Sequence, residues 1–318
     1  MSLDLRFGWA EPGDLAEVEA FHASRFGPGS VQAVPGRVAW LYFANPLGLH
    51  VATCRDGARL VATCGHLPQV VSVDGETVLA GFGIDFMVDP EYRRCGIGRR
   101  FLAMRLERFR LSLSTGQSPA MRALYDRAGG VVLGPIVQGV HRRRPPTSGG
   151  PKDLAKGWAA WVAGLGGVRP RQVAGSADWV EVAYRAAFAA RDERAGAWLR
   201  WRCDGPVYGD HRALRFGHGA AAVRREGDLQ IVTALAAAPR ERAALLAAVA
   251  HHEGVAETRA SGAGRAFTHD LRRAGYLVRP TAAVVVAATL DDDLRRRLVP
   301  GALDLDAAAG DADLLRRP

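Results

Sequence analysis

The sequence predicts an α/β protein in which a mixed, largely antiparallel sheet flanked by helices occurs twice. Three observations carry this. The first half alternates segments of period two with segments of period 3.6, the marks of strands and helices. The second half has a similar outline. Between them His141–Asp153, HRRRPPTSGGPKD, combines a charge run with Pro, Gly and Ser and has no apolar periodicity, so it reads as a linker. The 318 residues suit two domains at about 100–200 residues each. The expected extents are 1–145 and 153–318.

In the first half, Leu3 to Trp9 alternates like a strand. Glu11-Pro12-Gly13-Asp14 opens a helix through Phe21, with Asp14 as its cap. Trp40 to Phe43 reads as a short second helix. Strands at His50–Cys54 and Arg59–His66 are joined by Asp56-Gly57; Val70–Val73 and Val78–Val88 flank Asp74-Gly75. Arg99 to Phe109 is helical, with Leu102, Leu106 and Phe109 on one face. Leu111–Ser114 is a strand, Ser118 to Ala128 a helix and Val131–Val140 a closing strand. In the second half Asp178 to Arg191 is a helix. Strands are expected at Ala213–Phe216, Ala220–Arg224 and Leu229–Leu235. A long helix over Pro239–His251, another over Arg265–Ala274 and a strand over Thr281–Ala288 follow. Asp126-Arg127-Ala128-Gly129 is echoed by Arg272-Arg273-Ala274-Gly275, each ending a helix before a strand, which points to duplication.

Composition narrows the function classes. Hydrophobic residues are 48% and charged residues 24%, ordinary for a soluble globular chain. No apolar run approaches the roughly 20 residues that cross a membrane, and Met1–Asp14 lacks the pattern of a secretory signal, so the expected compartment is the cytoplasm. Cys54, Cys64, Cys95 and Cys203 form no C-x-x-C pair and no His cluster has zinc spacing; reduced thiols and no metal are expected. The net charge of +9 favours anionic partners. Lys152 and Lys156 are the only lysines, the rest of the positive charge being arginine.

The informative stretch is Val78 to Phe109. From Val78 to Val88 the even positions are apolar, while Gly81, Gly83 and Asp85 fall on odd positions. Period two makes this a strand with one packed face and one face with room for a ligand to approach the backbone. Asp89-Pro90-Glu91-Tyr92 and then Arg93-Arg94-Cys95-Gly96-Ile97-Gly98-Arg99-Arg100 lead straight into a helix. A glycine-containing loop at a helix start offers free backbone N–H groups to an anion, and the four arginines add positive charge, as a pyrophosphate site requires. No Gly-Lys-Ser/Thr follows and G-x-G-x-x-G is absent, so it is neither a Walker loop nor a dinucleotide fingerprint.

Arg93-Arg94-Cys95-Gly96-Ile97-Gly98 resembles the Arg/Gln-x-x-Gly-x-Gly/Ala signature of the GNAT superfamily of N-acetyltransferases. Pro119-Ala-Met-Arg-Ala-Leu-Tyr-Asp-Arg-Ala-Gly-Gly resembles the family helix that ends in Leu-Tyr-x-x-x-Gly-Phe, with Ser118 where Asn is frequent and Gly130 where Phe or Tyr is frequent. The resemblance covers roughly residues 3–140. It implies that the loop amides hold the pyrophosphate of acetyl-CoA, or of another acyl-CoA, and that Met87 and Val88 pair with the pantetheine arm. Ser118 is carried over as a further cofactor-binding candidate. The tandem arrangement is similar to two-domain GNAT proteins and, more distantly, to Fem-type aminoacyltransferases. The second half has Ala236-Ala-Ala-Pro-Arg-Glu-Arg-Ala after its Leu229–Leu235 strand and no Gly-x-Gly. It reads as a degenerate GNAT-like domain that shapes the acceptor side.

Amine acylation needs a neutral amine, a polarised thioester and a proton for the departing thiolate. Tyr125 is the candidate acid, since it matches the family's frequent Tyr; its alternative is a core residue on the Met121–Ala128 face. Asp85 is the candidate base, and its alternative is a carboxylate paired with an arginine. The expected reaction is acetyl transfer from acetyl-CoA to a small-molecule amine, with acceptor recognition in loops such as Val31–Gly48. Two rivals stay open: a donor changed to aminoacyl-tRNA or acyl carrier protein, and a non-catalytic acyl-CoA sensor. Neither a membrane nor nucleic acid is an expected partner, and the sequence leaves the oligomeric state open.

Overall fold

The computed structural model describes residues 3–73, 76–115, 117–147, 149–167, 174–175, 201, 211–216, 219–237, 239–252, 255–300 and 303–304. They belong to two compact units, Met1–Gly134 with Ala283–Leu303, and Pro135–Ala282 with Asp304–Pro318.

The first unit runs β1 (Leu5–Trp9), α1 (Leu15–Phe26), a π-helical turn at Ala39–Phe43, β2 (Val51–Asp56), β3 (Arg59–Val73), β4 (Glu76–Val88), α2 (Ile97–Arg108), β5 (Leu111–Thr115) and α3 (Pro119–Arg127). Strands β1 to β4 are antiparallel neighbours in chain order, and β5 lies parallel to β4. Parallel neighbours need a crossover, which α2 supplies. Helix α1 continues past the expected Phe21 to Phe26, where Gly27 turns the chain at φ +86°. The expected turn at Asp74-Gly75 lies outside the described residues. Phe101, Met104 and Ile97 of α2 pack with Ala62 and Cys64 of β3 and with Phe86 and Val88 of β4.

The sheet of this unit is completed from far along the chain. Val285 to Ala288, at the end of β12 (Leu277–Ala288), pair antiparallel with Thr115 to Ser112. Val284, Val286 and Ala288 fill a cluster with Leu102 of α2 and Met121, Leu124 and Tyr125 of α3.

The second unit takes in the 135–142 part of β6 (Val131–Arg142), then α4 (Pro151–Leu165), β7 (Ala174–Gly175), β8 (His211–Phe216), β9 (Gly219–Glu226), β10 (Leu229–Ala236), α5 (Pro239–Ala250), β11 (Glu257–Gly262) and α6 (Arg265–Arg273). Strands β8, β9 and β10 are antiparallel, β11 is parallel to β10, and β6 pairs antiparallel with β11. The core joins Leu245, Leu246 and Val249 of α5 to Val232, Phe267, Leu271 and Tyr276. Each unit therefore includes a strand segment from the other half of the sequence, 283–288 in one and 135–142 in the other. Residues 151–153 of the expected linker open α4, with Pro151 at the first helical position, where its missing N–H goes unneeded. The expected helix over 178–191 and Cys203 lie outside the described residues.

The repeated outline holds at atomic detail where the sequence echoes itself. Helix α3 ends on Ala128 and Gly129 (φ +72°), with Gly130 N–H donating to Tyr125 O at 2.7 Å. Helix α6 ends on Ala274 and Gly275 (φ +85°), with Tyr276 N–H donating to Leu271 O at 2.9 Å. Both are the same left-handed glycine cap, which satisfies carbonyls the helix end would leave open.

Candidate functional site

The site is built around the end of β4. Asp89 is buried and accepts from Arg25 at 2.7 Å and Arg59 at 2.6 Å, and Tyr92 Oη donates to Asp56 at 2.9 Å, which fixes the turn at Pro90–Tyr92. The chain then passes through two left-handed residues, Arg94 (φ +75°) and Gly96 (φ +79°), before α2 begins at Ile97. The first bond of the helix runs from Arg100 N–H to Gly96 O. The N–H groups of Ile97, Gly98 and Arg99 therefore precede the helix's own ladder, and no side chain caps this end. A Cβ at Gly96 would meet nothing within 4 Å, so there is open space beside the start of the helix. Arg93, Arg94, Cys95, Arg99 and Arg100 are exposed and Ile97 is buried. Among the described residues Arg93, Arg94 and Arg99 have no ion-pair partner, while Arg100 meets Glu107. Gly98 differs from Gly96: a Cβ there would lie 2.8 Å from Leu124 Cδ1, so this glycine lets α2 approach α3 and offers a ligand only its backbone.

Beside this helix end, β4 has an open edge. It pairs with β3 as far as Val88 but with β5 only over Ala80–Phe82. Beyond Phe82 the β5-facing side of the backbone has no strand partner among the described residues. Thr63 pairs with Met87 and Gly65 with Ile84, so Asp85 and Phe86 together stand opposite Cys64: a β-bulge, with Asp85 at φ +48°. The Asp85 carboxylate is 4% exposed although the residue as a whole is half-buried, so what solvent reaches is its backbone. Met87 and Val88 lie half-buried at the end of the same edge.

The bulge corrects the sequence reading of β4. Strict alternation puts Gly81, Gly83 and Asp85 on one face with room for a ligand. Gly81 and Gly83 do share a face, but a methyl group at either would collide with Phe109 or with the Arg105 guanidinium, both carried by the α2 segment. The room is filled from inside the unit. The extra residue then reverses the phase, and Asp85 turns to the other face of the sheet, where α1 and the 31–48 segment lie. There Asp85 accepts from Arg37 Nη1 and Tyr42 Oη, both at 2.5 Å, and from Gln32 Nε2 at 3.2 Å. Gly65 leaves the space that Tyr42 occupies. Burial alone would raise Asp85, but the Arg37 charge and the bonds from Arg37 and Tyr42 outweigh it and hold the carboxylate below its ordinary value. Burial, reinforced by Asp85, pushes Tyr42 well up, and burial takes His22 down to about 4, leaving its ring neutral with Nε2 3.1 Å from Thr63 Oγ1.

Tyr125 is fully buried on α3. Its oxygen accepts from Arg105 Nη1 at 2.7 Å and lies 2.9 Å from Ser112 Oγ. Ser118 caps α3, its hydroxyl accepting from Met121 N–H at 3.3 Å. Cys54 and Cys64 are both free and buried, and Cys95 is free and exposed.

These elements have counterparts among known proteins. Residues 31–129 match the family model of the acetyltransferase (GNAT) domain. The chain carries a GNAT domain. A GCN5-related N-acetyltransferase from Anabaena variabilis shares the fold with a TM-score of 0.62 at 10% identity, over 91% of this chain and 73% of that one. One from Kribbella flavida does so with a TM-score of 0.58 at 19% identity, over 91% and 72%. A probable N-acyltransferase from Enterococcus faecalis does so with a TM-score of 0.58 at 13% identity, over 90% and 72%. No curated protein sequence matches the chain.

Within the GNAT domain the structure adds Arg37, Tyr42, Arg105 and Ser112 to the residues the sequence singles out. Arg105 had a visible signal: it stands at i+4 from Phe101 and i−4 from Phe109, a charge on the apolar stripe of its helix. Gly65 and Gly83 in strand interiors were signals of close approach by a side chain. Among the described residues no group of His, Cys, Asp and Glu could hold a metal, and no helix is long and apolar enough to cross a membrane.

Proposed function

We propose that the chain is an acyl-CoA-dependent N-acyltransferase that moves the acetyl group of acetyl-CoA to a small-molecule amine by direct attack. The observation that carries this is the uncapped start of α2, set directly after a strand whose edge is open from Gly83 to Val88. The amides from Gly96 to Arg99 suit the pyrophosphate, with Arg93, Arg94, Arg99 and Arg100 as counter-charges and Cys95 as an exposed filler of the loop. The free backbone edge at Met87 and Val88 suits the pantetheine amides, as one strand suits another. Ser118 belongs to this reading as the cap that fixes the start of α3, the helix that carries Tyr125.

The amine nitrogen attacks the thioester carbonyl, and Tyr125 gives the departing thiolate its proton. Asp85, with its oxygens engaged by Arg37, Tyr42 and Gln32 and its carboxylate held low, suits a positioning role better than direct proton abstraction. It fixes the bulge on which the open edge depends. The second unit has no glycine between Ala236 and Ala243, and we assign it to the acceptor side or to support. We place the protein in the cytoplasm, in keeping with its free buried thiols.

Gly96→Asp tests the anion site. Aspartate tolerates the left-handed conformation and is a favoured helix cap, so the fold should keep its melting temperature. Its carboxylate would occupy the amides and repel phosphate, weakening acetyl-CoA binding by at least about tenfold, or about 1.4 kcal/mol. Gly96→Asn, neutral and of equal size, should stay within about threefold of the parent. Calorimetry that finds the aspartate variant binding as tightly as the parent would remove the loop from the site.

A further inference from the structure

Arg105 enters the interior of the first unit with 3% of its surface exposed, and among the described residues no carboxylate meets it. The contrast with Arg37 is direct, since that buried guanidinium sits on Asp85. Arg105 donates instead to four acceptors without a carboxylate among them: Nε to His66 Nδ1 at 2.6 Å, Nη1 to Tyr125 Oη at 2.7 Å and Ser112 Oγ at 3.3 Å, and Nη2 to Cys64 Sγ at 3.2 Å. Burial, joined by the Arg105 charge, holds His66 well below its ordinary value, and burial raises the Cys64 thiol, so both are neutral. Gly83 keeps the space open for the guanidinium. A buried charge with hydrogen bonds but no counter-ion is costly to fold around. It is well placed, however, where a negative charge appears during a reaction.

We propose that Arg105 is a positioning residue for Tyr125, and that its unpaired charge is the counter-charge for the phenolate formed when Tyr125 gives up its proton. This rests on the acyl-transfer reading above. The amine nitrogen bonds to the carbonyl carbon and the C–S bond breaks with its electron pair on sulfur. The Tyr125 O–H bond breaks and its proton goes to that sulfur. Arg105 Nη1 and the Ser112 hydroxyl hold the phenolate. The proton shed by the new amide passes to solvent, and water returns one to Tyr125. Because Arg105 donates into the Tyr125 oxygen, the tyrosine's own proton is directed away from the guanidinium.

The test is a double-mutant cycle on thiol release from acetyl-CoA, run with a panel of small primary amines and with water as the acceptor where no amine reacts. Tyr125→Phe should lower kcat by about 10²–10⁴-fold, the usual worth of general acid catalysis. Arg105→Met should lower it by about 10–100-fold, with acetyl-CoA affinity by calorimetry within about threefold of the parent, and Arg105→Lys should recover part of the loss. If Arg105 acts through Tyr125, the double variant is no slower than Tyr125→Phe by more than about threefold. Losses that multiply, or a kcat for Arg105→Met within twofold of the parent, would overturn the role of Arg105 while leaving the transferase reading in place. A neutral Tyr125→Phe would overturn it too, by removing the acid. If Arg105→Met does not fold, Arg105→Lys goes through the same cycle: non-multiplying losses support the role, and multiplying losses or an unchanged kcat overturn it.

Discussion

A fragment ending at residue 145 is expected to lose cooperative unfolding, although it holds the whole Arg93–Arg100 loop. The first unit includes 283–303, and Ser112–Thr115 of β5 pair with Val285–Ala288. Without that segment the β5 edge is bare, and the cluster around Leu102 and Tyr125 loses Val284, Val286 and Ala288. Val286 and Ala288 are buried and Val284 half-buried, and together they contribute about 3–5 kcal/mol at about 1.5–3 kcal/mol for a fully buried valine, against a total stability of about 5–15 kcal/mol for an ordinary domain. Residues 135–142 of the fragment would also lack their partner β11. Circular dichroism should show a broad, shallow melt, and joining residues 277–303 to the fragment through a flexible linker should sharpen it. A fragment that melts sharply within a few degrees of the full chain would show that the strand from the distant segment is dispensable.

The second large effect is expected from Asp85→Ala. The substitution takes the Asp85 carboxylate from Arg37, which is 1% exposed, and an acceptor from the buried Tyr42 hydroxyl. Breaking a buried pair from one side destabilises by about 3–5 kcal/mol. The double variant Arg37→Met with Asp85→Leu should be milder than Asp85→Ala alone, since it removes both charges. The pH dependence follows from the sign of the shift. The folded carboxylate lies below its ordinary value, so its contribution is complete above the unfolded value of about 3.9 and is lost as pH falls through the folded one. The gap in stability between parent and variant should therefore be constant near neutrality and close in acid. A loss under about 1 kcal/mol at neutral pH would mean that the cluster does not hold the bulge together.

Much of this is legible in the sequence, for reasons that differ by element. The helix-ending echo around Gly129 and Gly275 is legible because a left-handed glycine cap is local chemistry. The α2 loop is legible because Gly96 sits where a helix must leave amides free. The β4 bulge is not: alternation from Val78 to Val88 is unbroken in the sequence, and only the pairing of Thr63 with Met87 and Gly65 with Ile84 reveals the extra residue. That one residue moves Asp85 to the opposite face from Gly81 and Gly83. Alternation alone makes those glycines space for a ligand, whereas Phe109 and Arg105 use the space. The strands over 131–142 and 277–288 are visible as strands, but their partners are not, because pairing across well over a hundred residues leaves no local mark.

A single acyl-CoA site at the start of α2 is tested most directly by calorimetric titration of the full chain with acetyl-CoA. One molecule should bind per chain, because the first unit offers an uncapped glycine-led helix start while the stretch before α5 contains no glycine. The affinity should fall by at least about tenfold in Gly96→Asp and stay within about threefold of the parent in Gly96→Asn. No binding of acetyl-CoA by the folded parent would rule the site out, and saturation at two molecules per chain would rule out its being single.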